Sequence, residues 1–119
     1  MLHEELIEHF KYPHNRKRIT DPTFTTESYN PSCGDRVIMD GIVTNRVLTD
    51  VGFNASGCVI SQATASILTE YCKGKQITDV LSLTKDDILG MVNIPLGPTR
   101  LKCALISLEV LQKGILETK

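Results

Sequence analysis

The sequence predicts an α+β fold in which a small antiparallel sheet of about three strands packs against helices. Residues 36–43 and 46–54 carry strand-like apolar patterns, and apolar residues recur at helical spacing before and after them. The 119 residues are the size of one compact domain. No internal repeat or second domain is visible, so we expect a single domain over residues 1–119.

A short amphipathic helix is expected at the N-terminus. Its apolar residues fall near helical spacing: Leu2, Leu6, Ile7 and Phe10. Pro13 should end this helix, since proline cannot continue it. Residues 13–32 are polar and rich in turn formers, which predicts irregular structure apart from a third strand near 24–29.

The two strand-like segments predict an antiparallel hairpin. Thr44-Asn45 is the expected turn between them. In the second strand, alternation places one set of side chains on a common face: Val47, Thr49, Val51 and Phe53.

After Gly57 the apolar period becomes helical. We expect one side of a helix of about four turns to carry Ile60, Ala63, Ile67, Leu68 and Tyr71. Lys73-Gly74 is a typical helix end.

The remainder is predicted to be helical apart from one loop. Residues 77–83 suggest one more helical turn. Thr84, with Asp87 three residues later, predicts the N-cap of a short helix to Met91. Residues 93–100 contain two prolines and a glycine and are expected to form a loop, followed by a last helix over 101–116.

Composition excludes several function classes. The 13 basic residues nearly balance 14 acidic ones, whereas electrostatic nucleic-acid binders usually have a basic excess. No run of roughly 18 apolar residues is present, so we expect no membrane-spanning helix. The first ten residues are acidic rather than basic, unlike a secretory signal. We therefore expect a cytoplasmic protein whose cysteines are reduced.

Three of the four cysteines lie at expected boundaries between elements. Cys33 precedes the first strand of the predicted hairpin, Cys58 precedes a helix, and Cys103 follows the loop rich in proline and glycine. Residues at element ends can converge at one rim of a domain. Asp35 follows Cys33 by two residues, so in an extended chain both side chains point the same way.

This residue set favours a metal or cluster site. Thiolates bind zinc and iron–sulfur centres, and helix N-termini stabilise thiolates, which we expect to help both Cys58 and Cys103. With Cys33 and Asp35 they make four ligands, a number that suits tetrahedral zinc. Since a carboxylate is a harder ligand than a fourth thiolate, the site should be exchangeable.

Simpler interpretations remain open for single residues. Any one of these cysteines could be a packed apolar residue, and no CxxC pair is present. Cys72 would lie about 21 Å from Cys58 along a continuous helix, so we interpret it as an ordinary thiol.

Two groups of basic residues also have alternative interpretations. Lys102 could be a surface residue or could hold a thiolate or persulfide by its charge. Arg16-Lys17-Arg18 is most simply a solvated loop, and the alternative is a docking patch for an acidic partner.

Together, the cysteine segments resemble the IscU/SufU/NifU N-terminal family of iron–sulfur cluster assembly scaffolds. The similarity runs in order along nearly the whole chain. It is carried by Ile7–Phe10, Asn30–Asp35, Gly57–Ser66, Lys73–Lys75 and Arg100–Cys103.

The resemblance implies an exposed cysteine site at one end of an α+β domain. It implies that Cys33, Cys58 and Cys103 receive sulfur from a cysteine desulfurase. It also implies that Asp35 is a ligand that keeps a transient 2Fe–2S cluster labile enough to pass to recipient apo-proteins, and that zinc can occupy the same site.

The chain departs from both branches of that family. Lys102 stands where IscU proteins have a histidine. In having a lysine there, the chain is similar to SufU. SufU proteins usually have an insertion before the third cysteine, yet only 44 residues separate Cys58 from Cys103 here. The segment 95–100 does not match the Leu-Pro-Pro-Val-Lys chaperone site of IscU, so docking of an Hsp70-type chaperone is not implied.

Three functions remain open from the sequence. The first is a cluster scaffold, a carrier rather than an enzyme with its own turnover. The second is a zinc-dependent sulfurtransferase in which Cys103 accepts the persulfide. The third is an interaction domain stabilised by zinc.

Overall fold

The computed structural model describes residues 2–31 and 34–118 of the chain, without the side chains of Leu2 and His3. Within these ranges the elements are α1 (Leu2–Lys11), β1 (Phe24–Asn30), β2 (Asp35–Thr44), β3 (Val47–Ser56), α2 (Val59–Cys72), α3 (Ile77–Leu81), α4 (Lys85–Val92) and α5 (Pro98–Thr118). The strands form one antiparallel sheet in the order β1-β2-β3. The predicted α+β class and the third strand are confirmed. None of the described helices is both long and apolar enough to cross a bilayer.

One face of the sheet forms the core with the helices. Helix α5 lies against β1 and β2, α2 lies against β3, and α1 packs on α2. The side chains that β2 and β3 turn toward the helices are buried: Val37, Met39, Val51, Phe53 and Ala55. On the opposite face Arg36 and Asn54 are exposed, since an antiparallel sheet needs an apolar cover on only one side.

The hairpin between β2 and β3 differs from its prediction in two details. The turn is Asn45-Arg46, with φ of 52° and 67°, as a two-residue turn with positive φ at both positions requires. A register shift at Ile42/Val43 leaves Thr49 without a partner on β2 and reverses the faces at that end of β3. Leu48 is therefore buried and Thr49 exposed, so the predicted common face was wrong at Val47 and Thr49.

A larger part of the surface of helix α2 is buried than its apolar pattern predicts. Tyr71 is 46% exposed, whereas Cys72 is fully buried, so the predicted face was wrong at its C-terminal end. The helix contacts α1, α5 and the sheet, and small side chains such as Ala63 and Ala65 let these neighbours approach. Burial raises the pKa of the Cys72 thiol to about 12, consistent with an inert core thiol.

The first residues of α4 and α5 explain where these two helices begin. Thr84 and Asp87 cap α4 reciprocally, as predicted. Helix α5 begins at Pro98, three residues earlier than predicted. Proline is well suited to the first helical position because that residue needs no N–H. The predicted loop therefore ends at Gly97, and Cys103 lies in the second turn of α5.

We predict that Gly114→Ala lowers the free energy of unfolding by about 1–3 kcal/mol. A Cβ atom at Gly114 would overlap Phe24 and Thr26 of β1, where α5 crosses the sheet. Urea unfolding followed by circular dichroism measures the change.

Gly90→Ala in α4 is the matched control, because a Cβ atom there meets nothing within 4 Å. It should gain roughly 0.5–1 kcal/mol through helix propensity alone. Equal stability of the two variants would contradict the close contact between α5 and β1.

Candidate metal centre

Three of the predicted ligands come together in the structure. One ligand atom from each of Asp35, Cys58 and Cys103 lies within 4.8 Å of the other two. They come from the start of β2, the residue before α2 and the second turn of α5. Cys33 lies outside the described residues, so its position stays a prediction. Cys72 is not part of this group.

Asp35 is fully buried and is held by the backbone of Cys58. The Cys58 N–H donates to Oδ1 of Asp35 at 2.8 Å, while Oδ2 lies 3.6 Å from the Cys58 sulfur. One carboxylate oxygen is thus anchored, and the other faces the sulfur.

Gly57 provides the space for this arrangement. Its φ of +115° suits glycine, and a Cβ atom there would overlap both the carboxylate and the Cα atom of Asp35. Gly57 and Cys58 therefore fix the distance between the first residue of β2 and the N-terminus of α2.

Cys58 is the N-cap of α2. Its sulfur accepts the N–H of Ser61 at 3.5 Å, and the Ser61 hydroxyl donates to the Cys58 carbonyl at 3.0 Å. The positive end of the helix dipole therefore faces the sulfur, as predicted. Sequence reasoning gave Ser61 no role, although its place three residues after an N-cap was a signal.

Cys103 lies deeper than predicted. It is only 3% exposed and follows the first turn of α5, beyond which the dipole effect fades. The expected stabilisation by that N-terminus therefore does not apply to it. A mostly apolar cavity of about 450 Å³ lies beside both cysteines and is lined by Cys58, Val59, Ile60, Thr99, Arg100 and Cys103.

The spacing of the Asp35 and Cys58 donor atoms fits two ligands of one tetrahedral metal ion. Zinc bonds of about 2.3 Å to sulfur and about 2.0 Å to oxygen place neighbouring ligand atoms about 3.5 Å apart. The Asp35 Oδ2 to Cys58 Sγ distance of 3.6 Å matches this edge. Two sulfurs and one carboxylate occupy three positions, which leaves a fourth for another ligand.

Lys102 is exposed and faces the end of β1. It lines a second cavity of about 270 Å³ together with Tyr29, Asn30 and Pro31. Its side chain is therefore directed toward the segment that leads into Cys33. The predicted contact with a thiolate or persulfide is not tested by this geometry and stays a prediction.

Comparison with known proteins gives concordant results. The family model described as NifU-like N terminal domain matches residues 1–119. The chain is 30% identical to the zinc-dependent sulfurtransferase SufU of Bacillus subtilis, over 97% of this chain and 89% of that protein. It is 35% identical to the iron-sulfur cluster assembly scaffold protein IscU of Aquifex aeolicus, over 94% of this chain and 72% of that protein.

A solved structure shares the fold. The crystal structure of a putative iron-sulfur cluster assembly scaffold protein for the SUF system, from Fervidobacterium islandicum AW-1, matches with a TM-score of 0.83. The identity is 23%, and 94% of each chain is covered.

We predict that Gly57→Ala lowers zinc affinity about 10- to 100-fold, the usual range when the groups that support ligands are disturbed. The added methyl group displaces Asp35 from Cys58. Competition for zinc with a chromogenic chelator measures the affinity.

Gly74→Ala is the matched control. Gly74 also has positive φ, at +88°, but a Cβ atom there meets nothing within 4 Å. Both variants should lose about 1 kcal/mol or more of stability to backbone strain. Gly57→Ala should lose more than Gly74→Ala because of its overlap with Asp35, and only Gly57→Ala should lose zinc affinity. Unchanged zinc affinity in Gly57→Ala would remove Asp35 from the ligand set.

Proposed function

Because this chain belongs to the NifU-like N-terminal domain family, we propose that it is an iron–sulfur cluster assembly scaffold working in the cytoplasm. It accepts sulfane sulfur from a cysteine desulfurase and builds a transient 2Fe–2S cluster when an external electron donor reduces that sulfur to sulfide. It then transfers the cluster to apo-proteins. The observation that carries the proposal is the convergence of Asp35, Cys58 and Cys103 from three separate elements.

The ligands we assign to the cluster are Cys33, Asp35, Cys58 and Cys103. Thiolates supply the strong bonds to iron, and the Asp35 carboxylate is a harder and weaker partner for a soft centre. A cluster held by three thiolates and one carboxylate is more readily released than one held by four thiolates. This mixture suits a protein that passes its cargo on.

Sulfur arrives by exchange between a persulfide and a thiolate. A thiolate of this chain attacks the outer sulfur of the desulfurase persulfide, forming a new S–S bond while the desulfurase cysteine leaves as a thiolate. We assign Cys103 as the first acceptor. The cavity lined by Cys58 and Cys103 supports this step because it places open space next to both cysteines.

A zinc-dependent sulfurtransferase is the second candidate. It is favoured by the 30% identity to the Bacillus subtilis protein of that name and by Lys102 next to Cys103. In this function, Cys33, Asp35, Cys58 and Cys103 hold zinc, which keeps the thiolates ionised and protected when bound. Lys102 would offset the negative charge of a persulfide on Cys103.

A purely structural zinc site is less well supported than either function. Structural zinc sites are closed by their four ligands, whereas an open cavity borders Cys58 and Cys103 here.

We predict that anaerobic incubation with ferrous iron, cysteine, a desulfurase and a dithiol reductant, which reduces the persulfide sulfur to sulfide, gives visible charge-transfer absorption. Cys58→Ala and Cys103→Ala should each abolish most of it, because each removes a thiolate ligand. Cys72→Ala is the control and should retain the absorption, since Cys72 lies in the core away from the ligand group. A colourless wild-type product that keeps zinc would overturn the scaffold proposal.

Zinc removal separates the two candidates. If the chain is a zinc-dependent sulfurtransferase, the metal-free protein should stimulate desulfurase turnover far less than the zinc-loaded protein. Sulfide release from cysteine in the presence of a dithiol reductant, which frees the persulfide sulfur as sulfide, measures turnover. Circular dichroism confirms that the stripped protein stays folded. Equal stimulation by both forms would reject the zinc-dependent function and leave the scaffold.

A further inference from the structure

An open cavity of about 430 Å³ lies on the sheet face opposite the helices. It is lined by Arg16, Arg18, Glu27, Arg36, Ile38, Asn54, Ala55 and Ser56. The register aligns Glu27, Ile38 and Asn54 across the three strands, so these side chains share the outer face. Three arginines and one acid line this cavity. Arg18 pairs with Asp40 and Arg36 with Glu27, so among the described residues of the cavity the positive charge that stays unpaired is that of Arg16.

Arg16 supplies a charge that its contacts do not neutralise. Its guanidinium donates to Gln62 Oε1 at 2.9 Å, to the Ala55 carbonyl at 2.8 Å and to Asn54 Oδ1 at 3.2 Å. All three acceptors are neutral, and the described residues give Arg16 no carboxylate partner. The guanidinium is therefore held in place while its positive charge stays available.

The two other arginines differ in how firmly they are paired. Arg18 donates two hydrogen bonds, of 2.7 and 3.2 Å, to the buried carboxylate of Asp40 and is fixed by it. Arg36 pairs with Glu27 at 2.7 Å, but both side chains are exposed, at 59% and 42%. Exposed pairs contribute little free energy, so an incoming carboxylate can replace Glu27.

The cavity is adjacent to the candidate metal centre. Arg36 directly follows Asp35, and Ser56 precedes Cys58 by two residues. Successive side chains of a strand point to opposite faces, so Asp35 turns toward the helices and Arg36 toward the open face. A partner protein whose side chains enter the cavity therefore lies next to the start of β2 and the end of β3, beside Asp35 and Cys58.

We propose that this arginine-lined cavity docks carboxylate side chains of the cysteine desulfurase that supplies sulfur. The inference rests on the proposed function. Planar guanidinium groups match carboxylates in geometry and charge, and the desulfurase is the partner that both candidate functions require. Docking there brings the sulfur donor to the edge of the cysteine site, and charge complementarity speeds its arrival.

The test is desulfurase binding by Arg16→Glu, measured by isothermal titration calorimetry at several salt concentrations. We expect Kd to rise by at least about tenfold at physiological salt, with a weaker salt dependence than the wild type. Arg16→Gln, which removes the charge while keeping a hydrogen-bonding side chain, should give a smaller rise.

Arg46→Glu is the matched control. It makes the same charge change at the exposed turn between β2 and β3, the other end of the hairpin from Ser56. Its Kd should stay within about twofold of the wild type. Wild-type affinity in both Arg16 variants, or equal losses in Arg16→Glu and Arg46→Glu, would overturn the docking proposal.

Anaerobic cluster formation from ferric iron and inorganic sulfide separates this inference from the proposed function, because it needs no desulfurase. Arg16→Glu should form the cluster as well as the wild type does. Failure of the wild type in that reaction counts against the scaffold function. Normal cluster formation together with unchanged desulfurase binding by Arg16→Glu counts against the docking surface alone.

Discussion

The arrangement of this molecule depends on one hydrogen bond, from the backbone N–H of Cys58 to the carboxylate of Asp35. It joins the first residue of β2 to the residue that caps α2, across 23 positions of sequence. Gly57 makes the bond sterically feasible, since a side chain there would overlap Asp35. The bond also compensates a buried carboxylate, which would otherwise be costly to remove from water, and it turns the second oxygen toward the sulfur of Cys58.

The two faces of the sheet carry different chemical groups at the end where β2 begins. Toward the helices, Asp35 meets Cys58 and Cys103 in a largely buried setting that can hold a metal ion or a cluster. Toward solvent, Arg36 and Arg16 form a basic surface that a protein partner can recognise. Strand alternation alone produces this division, because Asp35 and Arg36 are neighbours in the chain. In the function that we propose, binding of the cluster and recognition of the desulfurase therefore use neighbouring but separate groups.

Local chemistry in the sequence was enough to predict the fold class, most element ends and the convergence of Asp35, Cys58 and Cys103. Capping residues such as Thr84 act within a few positions, so their effect can be deduced directly.

The errors arose where tertiary packing determines which side chains are buried. The bulge opposite Ile42 reverses the faces at Leu48 and Thr49, and contacts on several sides of α2 bury Cys72 and leave Tyr71 exposed. Pro98 was interpreted as a loop residue, although proline also suits the first turn of a helix. This interpretation placed Cys103 in the first turn of α5 instead of the second. The role of Ser61 emerged only from the contacts that the fold creates, and the sequence indicated Arg16 only as part of a basic segment with two alternative interpretations.

The central claim is that Asp35, Cys58 and Cys103 bind one ion together. X-ray absorption spectroscopy at the zinc edge of the zinc-loaded protein tests this claim most directly. Our account predicts sulfur neighbours at about 2.3 Å and one oxygen neighbour at about 2.0 Å, with one sulfur lost in Cys58→Ala and one in Cys103→Ala. A spectrum without sulfur neighbours, or one that neither substitution changes, would contradict it.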